Sequence, residues 1–184
     1  MKKLISLLAL VTFAMGSQAA DTNPVETTFQ RYWGVYAKKD FTKAAAEILP
    51  SDLEATKAAV LPVFLANQNS KAKDAPEVLA AFFGKTVGKA RDTMSAVDVF
   101  AGLNRVVAAG SPDLFEALKE AAVSIIFVRA VTADEAEIHF QVMVRGQGDT
   151  DAESLVKKEG RWWVKIKDDP KQTAESFKAL FAGK

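Results

Sequence analysis

The chain has no cysteine and a single histidine among its 184 residues. Without thiols there is no disulfide framework, no thiolate metal site and no cysteine nucleophile. With His139 alone, a histidine zinc site of HxxxH type has no ligands, and a serine hydrolase has only one residue to act as its base. No GxSxG elbow is present. Gly84-Lys85-Thr86 invites comparison with a phosphate loop, but that motif needs a glycine where Leu79 stands. Charge of one sign is missing too: 24 basic and 23 acidic side chains are interspersed, so there is no electrostatic footprint for nucleic acid or anionic lipid. No cofactor and no metal are expected.

Long apolar runs are confined to the start. MKKLISLLALVTFAMGSQAADTNP carries Lys2 and Lys3, then an apolar stretch from Leu4 to Met15, then small residues at Ser17 and Ala19. That is the order of a secretory signal, with cleavage expected after Ala19, or after Ala20. The apolar stretch is short of the roughly 20 residues a membrane-spanning helix needs. We therefore expect a signal peptide at 1–19, one domain at 20–184, no membrane span after cleavage, and a periplasmic or secreted product. Cleavage removes two lysines and no acid, which takes the net charge from +1 to −1.

The remaining sequence is helical first. Asn23-Pro24-Val25-Glu26 has the form of a helix start with a capping box. Phe29, Tyr32, Trp33 and Tyr36 then recur on one helical face. The helix is expected to break at Lys38-Lys39-Asp40, with a second starting at Asp40. Ser51-Asp52-Leu53-Glu54 opens a third by the same capping logic, running to about Leu65 with Pro62 as a kink. Residues 67–75 are polar and suggest a loop. Helices are expected over 76–89 and 95–109, and from Ser111 to Glu120.

From Ala121 the period changes to alternation. VSIIFVRAV, Val123 to Val131, is apolar on both faces, as in a central strand. Ala136 to Arg145 alternates, with Ala136, Ile138, Phe140, Val142 and Val144 on one side. Gly146-Gln147-Gly148-Asp149 reads as a turn, followed by strands at 153–158 and 161–167 joined by Glu159-Gly160. A short helix, 171–181, ends the chain. The expected class is α+β: N-terminal helices packed on a curved antiparallel sheet, a four-stranded C-terminal meander, with a short C-terminal helix.

An amphipathic first helix ending in Lys38-Lys39-Asp40-Phe41, a helical middle, and a last hairpin LVKKEGRWWVKI from Leu155 to Ile166 together resemble the nuclear transport factor 2-like superfamily. The helical middle, 51–120, is longer than the superfamily's usual third helix and early strands. The resemblance implies helices packed on a curved sheet with a pocket between them. It does not imply an activity, because that fold hosts enzymes, binding proteins and dimerisation modules.

Alternation assigns faces. With Ile138 and Phe140 toward the helices, His139 points away from the implied pocket, toward solvent or an interface. Trp162, Val164 and Ile166 share one face of the last strand, so Trp162 belongs to the core or to the pocket wall. Tyr32, Tyr36, Phe140, Trp162 and Val164 are the candidate ligand-binding residues, for a small apolar ligand. Met143 and Trp163 fall on the outer face and are candidates for a homodimer or partner interface. The resemblance to ketosteroid-isomerase-like members implies an acid as proton shuttle, and here Asp40 beside Tyr32 and Tyr36 is the candidate base. Capping of the second helix is the competing role for Asp40.

Overall fold

A computed structural model describes residues 23–182. The expected signal peptide lies outside them. Seven helices and a four-stranded antiparallel sheet follow in the order α1 (Pro24–Tyr36), α2 (Phe41–Ala45), α3 (Pro50–Ala66), α4 (Ala75–Phe83), α5 (Ala96–Gly110), α6 (Pro112–Lys119), β1 (Ala122–Ala130), β2 (Glu135–Val144), β3 (Gln147–Lys158), β4 (Arg161–Val164) and α7 (Pro170–Phe181). The chain is α+β, and the strands run β1-β2-β3-β4 as a meander. Among the described residues no helix is long and apolar enough to cross a membrane.

Helix α1 starts where its cap predicts, with the Asn23 side chain accepting from the Val25 N–H at 3.0 Å. Its aromatic stripe divides at packing. Phe29 and Trp33 sit on Phe140 of β2, with ring centroids 4.6 and 5.4 Å apart. Tyr32 and Tyr36 turn toward α5 instead. Each fully buried phenylalanine of this kind contributes about 2 kcal/mol by leaving water. On the sheet, Ala136, Ile138 and Phe140 are buried against the helices together with Leu155 and Val164.

A second core lies apart from the sheet. Val60, Phe64, Phe82, Phe83, Val99 and Phe181 join α3, α4, α5 and α7. The long helical middle thus builds its own hydrophobic centre. Helices α4 and α5 of this core meet at Gly102, where a Cβ would stand 2.7 Å from the Phe82 carbonyl oxygen. Arg105, one turn on, donates to the Ala81 and Phe82 carbonyls at 2.9 and 2.7 Å, satisfying the open end of α4. The start of α3 is sewn to the sheet at β4. Leu49 N–H donates to Val164 O at 2.9 Å, Val164 N–H to Glu47 O at 2.8 Å, and Ile166 N–H to the Asp52 carboxylate at 3.1 Å.

Several elements depart from expectation. The cap expected at Ser51 does not form: α3 opens at Pro50 with no side-chain cap, and the neighbouring Asp52 accepts from the Ile166 N–H. Helix α4 stops at Phe83, because Gly84 takes φ +56 and ends it. Strand β3 begins at Gln147: the reversal is the two-residue turn Arg145-Gly146, both at positive φ, like Glu159-Gly160 in the next hairpin. Strand β1 is an edge, not a central strand. Its second apolar face is left open, with Ile126, Phe127 and Val131 each about half exposed. Ile126 is the extra residue of a bulge between Ile125 and Phe127, which places Phe127 opposite His139.

Gly102→Ala forces α4 and α5 apart and is expected to cost about 1–3 kcal/mol, as overpacking does. Urea unfolding against the parent checks it, and an unchanged midpoint would mean that the helix pair yields freely.

Candidate functional site

Where the two cores meet, they leave a cavity of about 260 Å³. Its walls come from α1 (Tyr32, Tyr36), α5 (Phe100, Leu103, Asn104), β3 (Glu153), the segment after β4 (Ile166, Lys167) and α7 (Phe177). Apolar side chains alternate with polar ones: Glu153, Lys165, Lys167 and Asp168 come from the sheet side and Asn104 from α5.

Glu153 is the central one. It pairs with Ile138 across the sheet and lies two residues before Leu155, so strand alternation turns it to the helix side. Its side chain is 15% exposed, and its nearest cation, Lys167 Nζ, is 3.5 Å away. Lys167 makes a closer contact with Asp151, at 3.1 Å. Glu153 accepts no other hydrogen bond among the described residues, and burial raises its carboxyl to about 7. The attraction of Lys167 opposes that rise, while Asp151 and Asp168 reinforce it.

Opposite stand the tyrosines, with ring centroids 5.4 Å apart. Tyr36 donates to Asn104 Oδ1 at 2.9 Å, and Asn104 in turn donates to the Phe100 carbonyl at 2.9 Å, so that hydroxyl is engaged and fixed. The Tyr32 hydroxyl has no such partner among the described residues. Burial first, then the neighbouring Tyr36 and Glu153, push its ionisation far above the usual tyrosine range. It is a neutral donor at any physiological pH. An acid that ionises near neutrality beside a fixed and a free hydroxyl can bind a polar group or exchange a proton with it.

Of the residues expected to bind ligand, Tyr32 and Tyr36 line this cavity. Phe140 and Val164 do not: both are core side chains 1% exposed. Phe140 borders a separate, more open groove beneath α6, with Trp33, Leu114 and Leu118. Trp162 is half-buried at the margin of the sheet core, on the expected face but away from the cavity wall.

Asp40 stands at the surface as the cap of α2, accepting from Lys43 N–H at 3.3 Å and pairing with its ammonium at 2.7 Å. That pairing holds its carboxyl below the usual range, the reverse of what a base working near neutrality requires. His139 lies on the outer face. It stacks on Phe127 at 4.2 Å, with Nε2 enclosed and 3.4 Å from the Glu137 carboxylate, which Arg129 also binds. The sheet separates it from the cavity. Met143 and Trp163 share that outer face but not a patch. Met143 lies across Gly148, whereas Trp163 pairs with Val156 near Glu135, roughly 25 Å along the strand at 3.3 Å per residue. Arg161 covers the Trp163 ring at 3.9 Å.

Among the described residues no group of three or more histidine, cysteine, aspartate or glutamate side chains is placed to hold a metal ion. Compared with family models, with curated proteins and with solved structures, the chain matches none. The residue that sequence reasoning missed is Glu153. Its signal was present, since Glu153 and Leu155 share a strand face, but Glu153 read as the polar start of a short hairpin strand.

Glu153 makes stability depend on pH in a definite direction. In an unfolded chain it titrates near 4.5, and in the folded protein at about 7. The folded state therefore holds the extra proton between those values, and its stability falls as pH rises through about 7. Glu153→Gln is expected to remove that slope and to be more stable than the parent at about pH 8 by on the order of 1–3 kcal/mol. Urea midpoints at pH 5 and pH 8 measure it. A variant no more stable than the parent at pH 8 would mean that the carboxylate is not desolvated.

Proposed function

We propose that this is an exported, periplasmic or secreted, single-domain protein of nuclear transport factor 2-like type. In this reading it binds a small, largely apolar molecule without transforming it. The supporting observation is the cavity: a partly open, largely apolar space between two cores, with a mostly buried carboxyl group, Glu153, on its wall. A cavity serving packing alone would carry an apolar side chain there, since an ionisable group costs free energy to bury. The pattern of apolar walls with a few converging polar groups is that of small-molecule sites in general.

A second reading is favoured by one observation, the rise of the Glu153 carboxyl to about 7. A ketosteroid-isomerase-like enzyme would use Glu153, in place of Asp40, to shuttle a proton while the Tyr32 hydroxyl holds developing negative charge on oxygen. The two readings part on turnover. A binding protein returns its ligand unchanged, whereas an isomerase moves the double bond of an unsaturated ketone and loses that activity in Glu153→Gln.

Native mass spectrometry of the protein purified from the exported fraction tests the binding reading. The parent is expected to carry a dissociable small-molecule mass, and Leu103→Trp, which fills the cavity from α5, is expected to lose it while unfolding cooperatively. The same spectrum reads the assembly: a clean dimer with no added mass would sink the carrier reading and favour a homodimer or partner-binding role.

A further inference from the structure

The polar side of the cavity is unbalanced. Glu153 is an acceptor with one imperfect partner, Lys167 at 3.5 Å, and that lysine is already committed to Asp151. Across from it stand two aromatic rings, Tyr32 and Tyr36, whose faces carry negative potential. An acidic group, electron-rich rings and an apolar remainder are what a cation with a hydrocarbon body requires. Lys167 fills part of that role. Its side chain is 42% exposed and can remain on Asp151 when Glu153 is taken by another donor.

We infer that the ligand is a small organic cation, a primary or secondary amine with an apolar body, whose ammonium donates to Glu153 and lies against Tyr32. The inference rests on the small-molecule reading of this cavity. The apolar body would occupy the space among Phe100, Leu103, Ile166 and Phe177. Lys165 and Lys167 also border the cavity, but Lys167 is held by Asp151 at 3.1 Å. An anionic ligand would lie beside Glu153 and Asp168. A neutral acceptor leaves an ionised Glu153 short of the further donor it needs beyond Lys167 at 3.5 Å, which costs free energy in a buried site. An amine supplies that donor and a neutralising charge together.

The charged and titratable groups facing Glu153 are Tyr32 and Tyr36 from α1, Asp151 from its own strand, and Lys165, Lys167 and Asp168 from the segment after β4. The tyrosines stay neutral across the range used, and 2-phenylethylamine stays protonated. The pH dependence of its binding therefore reports Glu153.

The test is calorimetric titration of the full mature protein with 2-phenylethylamine, 2-phenylethanol and phenylacetate, which share a ring and differ in charge. The amine is expected to bind most tightly at pH 8. Its affinity should fall about tenfold at pH 6, in proportion to the ionised fraction of Glu153. Glu153→Gln should bind the amine no better than the alcohol, with its fold checked by thermal unfolding, and Tyr32→Leu should weaken the amine several-fold. Alcohol or phenylacetate binding as tightly as the amine at pH 8, or amine affinity indifferent to pH and to Glu153→Gln, would overturn the cation while leaving the pocket standing. Failure of all three probes, with no bound mass in the native spectrum, would remove the pocket reading and the inference with it.

Discussion

Helix α5 is the constraint on which the rest of the structure depends. Val99, Phe100 and Ala101 are consecutive: Val99 enters the helical core, Phe100 the sheet core, and Ala101 a small third cluster with Phe41, Ala108 and Phe115. A helix turns about 100° per residue, so three neighbours can face three directions and bind three groups of elements to one axis. The start of α5 is secured by a reciprocal box: Ser95 Oγ accepts from Asp98 N–H at 3.1 Å, and Asp98 accepts from Ser95 N–H at 3.2 Å. Gly102 then allows α4 to approach to contact. The Tyr36 wall is tied to this helix through Asn104, whereas α7 reaches the cavity by packing on α3.

The cavity follows from that arrangement. The sheet core and the helical core each pack densely around their own phenylalanines, and α5 passes between them with Phe100, Leu103 and Asn104 turned into the gap. Densely packed interiors do not deform to fill such a space at little cost. The β4 seam ties the start of α3, which runs on into the helical core, to the sheet through Leu49, Val164, Asp52 and Ile166. Glu153 reaches the gap because it is the next inward position of β3 beyond Leu155. Its raised carboxyl results first from burial at this location, with Asp151 and Asp168 adding to the rise.

Much of the local structure was legible. Asn23 announces a helix because a short polar side chain satisfies open N–H groups, and it does so here; Ser95 and Asp169 cap their helices in the same way. Glu159-Gly160 announces a hairpin because both positions adopt positive φ. The alternation from Ala136 to Val144 placed His139 on the outer face, where it lies. The misreadings share a cause. Apolar residues on both faces of β1 suggested cover on both sides, yet the strand is an edge, and its outer face is partly served by the stack of Phe127 on His139. Ser51 announced a cap for α3, yet the helix opens at Pro50 without one, and the neighbouring Asp52 carboxylate is drawn to a backbone N–H 114 residues away.

By itself the sequence determined the α+β class, the positions of most helix starts and hairpins, and which strand residues face inward, because these depend on contacts within a few residues. It also excluded thiol chemistry outright. Only the tertiary structure decided that residues 51–120 form a second core, that a cavity opens between the cores, and that Glu153, not Asp40, is the acid with a depleted hydration shell. Desolvation is a property of everything packed around a group. For Glu153 that surrounding comes from α1, α5, the chain after β4 and α7, elements scattered over nearly the whole described chain, and no local pattern records their meeting.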